Sequence, residues 1–196
     1  MKRNIFGLVS ALAISTLTGG LLHAATPLVE SSFDSSDEDW AVVFFNTNVP
    51  FPVESSDGAI HVADFSDGDT WYWSAPQSFL GDKSAAYGGT LRFTAQDVGL
   101  GTYDGVLNQA VQLVGMVSGA AVVIYCPIST PPGQSYTDLS VTLSAVGAGC
   151  WLSNGNLPTV VQMKATMKNL LSLSIKAEYL NDADVASLDY IGLFTP

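Results

Sequence analysis

Basic residues are scarce in this chain: Lys and Arg number seven against eighteen Asp and Glu, for a formal net charge of −11 over 196 residues. Two of the seven, Lys2 and Arg3, stand at the extreme N-terminus, and from Glu30 to Asp69 ten carboxylates occur without one Lys or Arg. Such a surface repels a phosphate backbone, which excludes nucleic acid as a partner. Anionic membrane surfaces are disfavoured for the same reason.

Catalytic groups are missing as well. The histidines are His23 and His61, and no HExxH, CxxC or phosphate-cradling glycine loop occurs. Serine-triad chemistry needs a base beside an activated hydroxyl. The GMVSG segment at Gly115 lacks the G-x-S-x-G spacing of a nucleophile elbow, and His61, in the strand-like AIHVA, reads as a surface histidine. Carboxylate pairs for glycoside hydrolysis are available in any acidic chain, and nothing singles one out.

Cysteine is limited to Cys126 and Cys150. In an oxidising compartment an even pair is most simply a disulfide, and two buried free thiols are the alternative. The bridge is the favoured reading.

The N-terminus has the layout of a secretory leader. Lys2 and Arg3 precede an uncharged, largely apolar run from Ile5 to Leu17, then Gly19-Gly20 and the small residues of LLHAA. Cleavage is expected after Ala24 or Ala25. A membrane anchor is the competing reading, opposed by the glycine pair and by the lack of positive charge downstream. The expectation is a leader at 1–24 and one exported domain at 25–196, with no membrane insertion after cleavage. Loss of Lys2 and Arg3 leaves five basic residues and a charge of −13.

Along that domain the dominant period is two. Leu91, Phe93 and Ala95 alternate with hydroxyl and charged residues, as do Leu139, Val141 and Leu143, and as do Leu171, Leu173, Ile175, Ala177 and Tyr179. Each pattern predicts a half-buried strand with a polar outer face. Shorter strands are expected at 41–45, 59–63, 111–115 and 120–125, with glycine-rich turns between. Many short strands without a βαβ rhythm indicate an all-β antiparallel sandwich. One segment differs: Val160, Met163, Met167 and Leu170 recur at helical spacing, and Thr159 with Gln162 forms a capping box, which predicts a short helix near residues 159–169.

The stretch YWSAPQSFLGDKSAAYGGTLRF, from Tyr72, resembles the core motif of the laminin IV type A domain, also called the laminin B domain. The segments VQLVGMVSGAAVVIY, SYTDLSVTLSAVGAGCW, TVVQMKATMKNLLSLSIKAEY and ASLDYIGL follow in the order of that family. The resemblance implies a jelly-roll β-sandwich, galactose-binding-like and carbohydrate-binding-like, that acts as an extracellular, non-enzymatic module. With only two cysteines the chain has no room for the EGF-like repeats that surround this domain in laminins, so it looks like a freestanding version, bacterial in the style of its leader. The motif residues Tyr72, Trp73, Pro76, Phe79, Leu80, Gly81, Tyr87, Gly88 and Gly89 read as a plug of the core. Trp71, which follows the polar run DFSDGDT, is expected at the surface as the ligand-binding residue. Sandwiches of this kind hold a structural Ca²⁺ where first and last strands meet, which implies Glu30, Asp34 and Asp189 as ligands; a solvated or turn-capping Asp189 is the equal alternative.

The expected function is recognition of a glycan or of an extracellular matrix or adhesion protein. A structural surface or biofilm component acting by self-association is the second reading, and a glycan-active hydrolase the third.

Overall fold

The computed structural model describes residues 26–44, 50–51, 53–63 and 70–196. The expected leader at 1–24 lies outside them, as does Phe45 of the strand expected at 41–45. Thirteen strands are present among the described residues: β1 (Pro27–Ser31), β2 (Ala41–Phe44), β3 (Pro50–Phe51), β4 (Glu54–Ser56), β5 (Ala59–Ala63), β6 (Trp71–Ser74), β7 (Thr90–Gly99), β8 (Val111–Val117), β9 (Ala120–Cys126), β10 (Thr137–Thr142), β11 (Trp151–Leu152), β12 (Leu170–Lys176) and β13 (Asp184–Phe194). Among the described residues an α-helix, α1 (Val160–Lys168), lies between β11 and β12, and short 3-10 turns occur at Gln77–Phe79 and Ser84–Ala86.

All strand pairs are antiparallel. A six-stranded sheet runs β10-β7-β13-β5-β4, with β1 also paired to β13, and a seven-stranded sheet runs β11-β9-β8-β12-β6-β2-β3. The two sheets form an all-β jelly-roll sandwich, as the alternation predicts. The core between them is built from alternate residues of each strand, among them Leu91, Phe93, Leu113, Ile124, Leu173, Ile175, Leu188 and Ile191. Between β8 and β9, Ser118 and Gly119 both adopt positive φ (52° and 82°), the two-residue turn whose twist matches a hairpin.

The helix is set by its cap. The backbone N–H of Gln162 donates to Thr159 Oγ1 at 3.2 Å, and the Thr159 N–H donates to Gln162 Oε1 at 2.9 Å. Met163 and Met167 are buried under it, whereas Val160, expected on the same face, is exposed. The helix comes so close to β8 that a Cβ on Gly115 would stand 2.4 Å from the Thr166 carbonyl oxygen. Among the described residues no helix is long and apolar enough to cross a membrane.

Two departures from strict alternation have local causes. Leu171 was expected inside β12 but is 54% exposed, because the β12–β8 register shifts between Leu170 and Ser172 and turns Leu170 inward instead. Lys176 and Glu178, expected on the polar outer face, are buried. Lys176 is held there by an ion pair with Asp104 and a 3.4 Å hydrogen bond to the Val106 carbonyl. Burying an ammonium without such partners costs several kcal/mol.

Candidate functional site

The motif from Trp71 to Phe93 closes the sandwich. Trp71 and Trp73 point inward from β6 with ring centroids 5.8 Å apart, edge to face. Trp71 is 0% exposed, so the expectation of a surface tryptophan is corrected. The polar run before it ends with Thr70, and β6 is an interior strand of its sheet, between β12 and β2, so its inward side chains have no route to solvent. Trp73, Pro76 and Phe79 are buried and Leu80 is half-buried. Gly81 exchanges backbone hydrogen bonds with Leu170 at 2.8 and 3.0 Å. Tyr87 is half-buried under the Lys164 ammonium, 4.8 Å from the ring centroid. Gly88 has φ +86°, and a Cβ on Gly89 would stand 2.0 Å from the Phe194 carbonyl oxygen, so no larger residue fits that approach.

The three carboxylates expected for calcium have different surroundings. Glu30 accepts a hydrogen bond from the Tyr190 hydroxyl at 3.0 Å, and Asp34 accepts one from Ser32 at 2.8 Å. Asp189 sits where the β13–β7 register shifts, between Leu188 and Tyr190. Among the described residues no group of three or more His, Cys, Asp or Glu side chains could hold a metal ion. His61 is also engaged, with Nδ1 2.8 Å from Ser187 Oγ and Nε2 3.2 Å from the Ser56 carbonyl.

What the structure does assemble is a groove of about 440 Å³ on the outer face of the seven-stranded sheet. Its polar lining is Tyr72, Ser74, Gln112, Ser172 and Ser174, and Val43, Phe44 and Val114 supply apolar surface. Register explains why these residues meet. Ser74 lies opposite Ser174, Ser174 opposite Gln112, Gln112 opposite Tyr125, and Tyr125 opposite Trp151. One row therefore crosses β6, β12, β8, β9 and β11 at right angles to the strands, with every side chain on the same outer face; Tyr125 and Trp151 continue it past the lining of the groove.

The members of the row are linked. Gln112 Nε2 donates to the Tyr125 hydroxyl at 3.3 Å, and the Tyr125 and Trp151 rings lie 4.8 Å apart with 31° between their planes. The Trp151 indole N–H donates to the Asn108 carbonyl at 3.1 Å, leaving its apolar ring surface for other contacts. Both rings are half-buried. Cys126 and Cys150 are joined by a disulfide, with Cα atoms 4.1 Å apart, so the bridge flanks this aromatic pair. Tyr72 lies beside the row, and burial, with Tyr125 and Asp104 adding to it, pushes its hydroxyl up to about 12. It stays a neutral donor and acceptor at physiological pH.

The outer face of the six-stranded sheet carries a second groove, of about 480 Å³, but its polar groups are occupied with one another. Thr94 donates to Asp138 at 2.7 Å, Arg92 to Thr90 at 3.1 Å, and Tyr190 to Glu30.

Sequence reading did not single out Ser74, Gln112, Tyr125, Ser172 or Ser174 as site residues. Alternation places each on an outer face, and the only further signal is the position of Tyr125 and Trp151 beside the two cysteines.

The family model for Laminin B (Domain IV) matches residues 72–195. The chain belongs to that family. Among solved structures it is similar to the L4b domain of human laminin α-2, with a TM-score of 0.72 and 15% identity over 89% of this chain and 100% of that one. It is also similar to a family 11 carbohydrate-binding module from Clostridium thermocellum, solved with a β-1,3-1,4-mixed-linked tetrasaccharide. There the TM-score is 0.50 and the identity 16%, over 85% of this chain and 95% of that one. At such identities the likeness is one of fold. A stretch of 53 residues is 45% identical to the basement membrane proteoglycan of Caenorhabditis elegans, covering 26% of this chain and 2% of that protein. The Laminin B chain described here thus spans a very small part of that relative.

Proposed function

We propose that this Laminin B family member is a secreted, non-enzymatic module that binds a glycan on the outer face of its seven-stranded sheet. The observation that carries this reading is the row Ser74, Ser174, Gln112, Tyr125 and Trp151, in which the partly exposed Ser74 hydroxyl, Gln112 amide and two aromatic rings share one outer face, with Ser174 buried between Ser74 and Gln112. Sugars offer hydroxyls to polar partners and C–H faces to aromatic rings, and sites for small ligands combine apolar surface with a few fixed polar groups. The fold shared with a carbohydrate-binding module and the extracellular character of the named laminin and proteoglycan relatives support the reading. The leader-like N-terminus supports export.

A glycan array probed with the purified protein, followed by calorimetry on the best hit, tests it. Replacing Gln112 and Ser74, the partly exposed polar groups of the row, together with alanine is expected to weaken binding about tenfold or more, since each lost hydrogen bond is worth roughly 1 kcal/mol. The melting temperature should stay close to that of the parent. Full affinity in the double variant would move the ligand off this face, and silence across the array would end the glycan reading.

A further inference from the structure

We infer that the ligand is an electrically neutral, extended polysaccharide chain that lies across the strands rather than along them, with one end resting on Trp151. This rests on the glycan-binding reading above and specifies the chemistry of the same site.

The direction follows from the register. Ser74, Ser174, Gln112, Tyr125 and Trp151 stand on five consecutive strands, so a chain laid at right angles to them passes over the buried Ser174 and meets Ser74, Gln112, Tyr125 and Trp151 in turn. Four inter-strand steps of about 4.8 Å make the row roughly 19 Å long, enough for several linked pyranose rings but far more than one. The row also changes in character along its length. The Ser74 hydroxyl stands at one end, the Gln112 amide in the middle, and the half-buried Tyr125 and Trp151 rings at the other. Hydrogen bonding would hold one part of such a chain, and C–H contact with the Trp151 ring the other.

Neutrality follows from where the cations are. Beyond residue 25 the chain has five basic residues: Lys83, Arg92, Lys164, Lys168 and Lys176. Only Lys176 is on the strands beneath the groove, and its ammonium is 1% exposed and paired with Asp104. Lys83 donates to the Leu80 carbonyl at 2.9 Å, Lys164 covers Tyr87, and Arg92 lies over Phe194 on the other sheet. Lys168 ends α1. The groove lining carries no charged side chain of either sign. A sulfated or uronic-acid chain would therefore find no counter-charge here, within a protein of strongly negative net charge.

The test uses neutral linear β-glucan oligosaccharides, from disaccharide to hexasaccharide, and heparin oligosaccharides of matching length. Affinity for the neutral series is expected to rise with length, to be unaffected by added NaCl, and to fall tenfold or more for the hexasaccharide in Trp151→Ala, with much of it restored in Trp151→Phe. The disaccharide is the internal control: its weak binding should change far less in Trp151→Ala. Heparin should not bind. Tighter binding of heparin than of glucan, lost with salt, would overturn neutrality while keeping the glycan reading. Length-independent binding, or a hexasaccharide indifferent to Trp151→Ala, would overturn the crosswise placement. Absence of binding to both series would sink both this inference and the function it rests on.

Discussion

Trp151 packs against Tyr125 with 4.8 Å between ring centroids, and the residues directly beside them, Cys150 and Cys126, are covalently joined. β11 is only two residues long and lies at the edge of its sheet. Such a short edge strand has few hydrogen bonds to hold it. The bridge and the Trp151–Asn108 hydrogen bond supply what the ladder lacks, and so keep the aromatic end of the row in register.

Reduction of this bridge is expected to lower stability by roughly 3–3.5 kcal/mol in the chain-entropy model, for a loop of about 25 residues. Urea denaturation with and without reductant measures it, and intact mass before and after reduction and alkylation verifies the pairing. Labelling of both cysteines in unreduced protein would show that the chain is not bridged.

Trp71 is expected to behave as a core residue. Trp71→Ala should cost about 3–5 kcal/mol, comparable with Trp73→Ala, because each removes a large buried ring and leaves a cavity. Denaturant midpoints for the two variants give the comparison. A Trp71→Ala protein as stable as the parent would contradict the packing described for β6.

Gly115 sets the distance between α1 and β8. A methyl group there would collide with the backbone of Thr166, which cannot rotate away, so Gly115→Ala should destabilise by about 1–3 kcal/mol or more. Exposed Gly105 and Gly155 are not controls, since both have positive φ. Val161→Ala, on the solvent side of α1, is the better one and should be nearly neutral. Equal melting temperatures for Gly115→Ala and Val161→Ala would refute the close approach.

Asp97 is expected to make stability depend on pH. Burial, chiefly, holds its carboxyl above the ordinary value of 3.8, with Asp104 adding, against the side-chain interaction with Asp184, the hydrogen bond it accepts from the Tyr179 N–H and the charge of Lys176. An acid whose folded value is raised binds its proton more tightly when folded. Its contribution is therefore fully present below 3.8 and is lost as pH rises through the folded value. Asp97→Asn cannot titrate, so its stability relative to the parent should climb from about pH 4 upward and then level off. Melting curves across that range measure the difference, and a difference independent of pH would exclude Asp97 as the source.

Much of the architecture was legible in the chain. The alternation of Leu91 and Phe93, or of Leu139 and Val141, places those residues on a buried face whatever their partners, because side-chain direction in a strand repeats every two residues. The capping box at Thr159 and Gln162 is equally local, and it is present where the spacing predicted it. The YW-x-x-P-x-x-FLG motif carried the family resemblance, and with it the sandwich.

The site was decided elsewhere. A strand's periodicity says which residues share a face, but a slide of two residues along a neighbour preserves that face while changing every opposite pair. Ser74 and Gln112 meet Ser174 only because both sheets bury their apolar faces at once and lock the registers of β6, β12 and β8. The same global packing turned Leu171 outward at a bulge and enclosed Trp71, whose polar sequence neighbours suggested solvent. Local composition governs how a residue begins a strand; burial depends on what the opposite sheet brings against it, and that contact is made by residues far away in the chain.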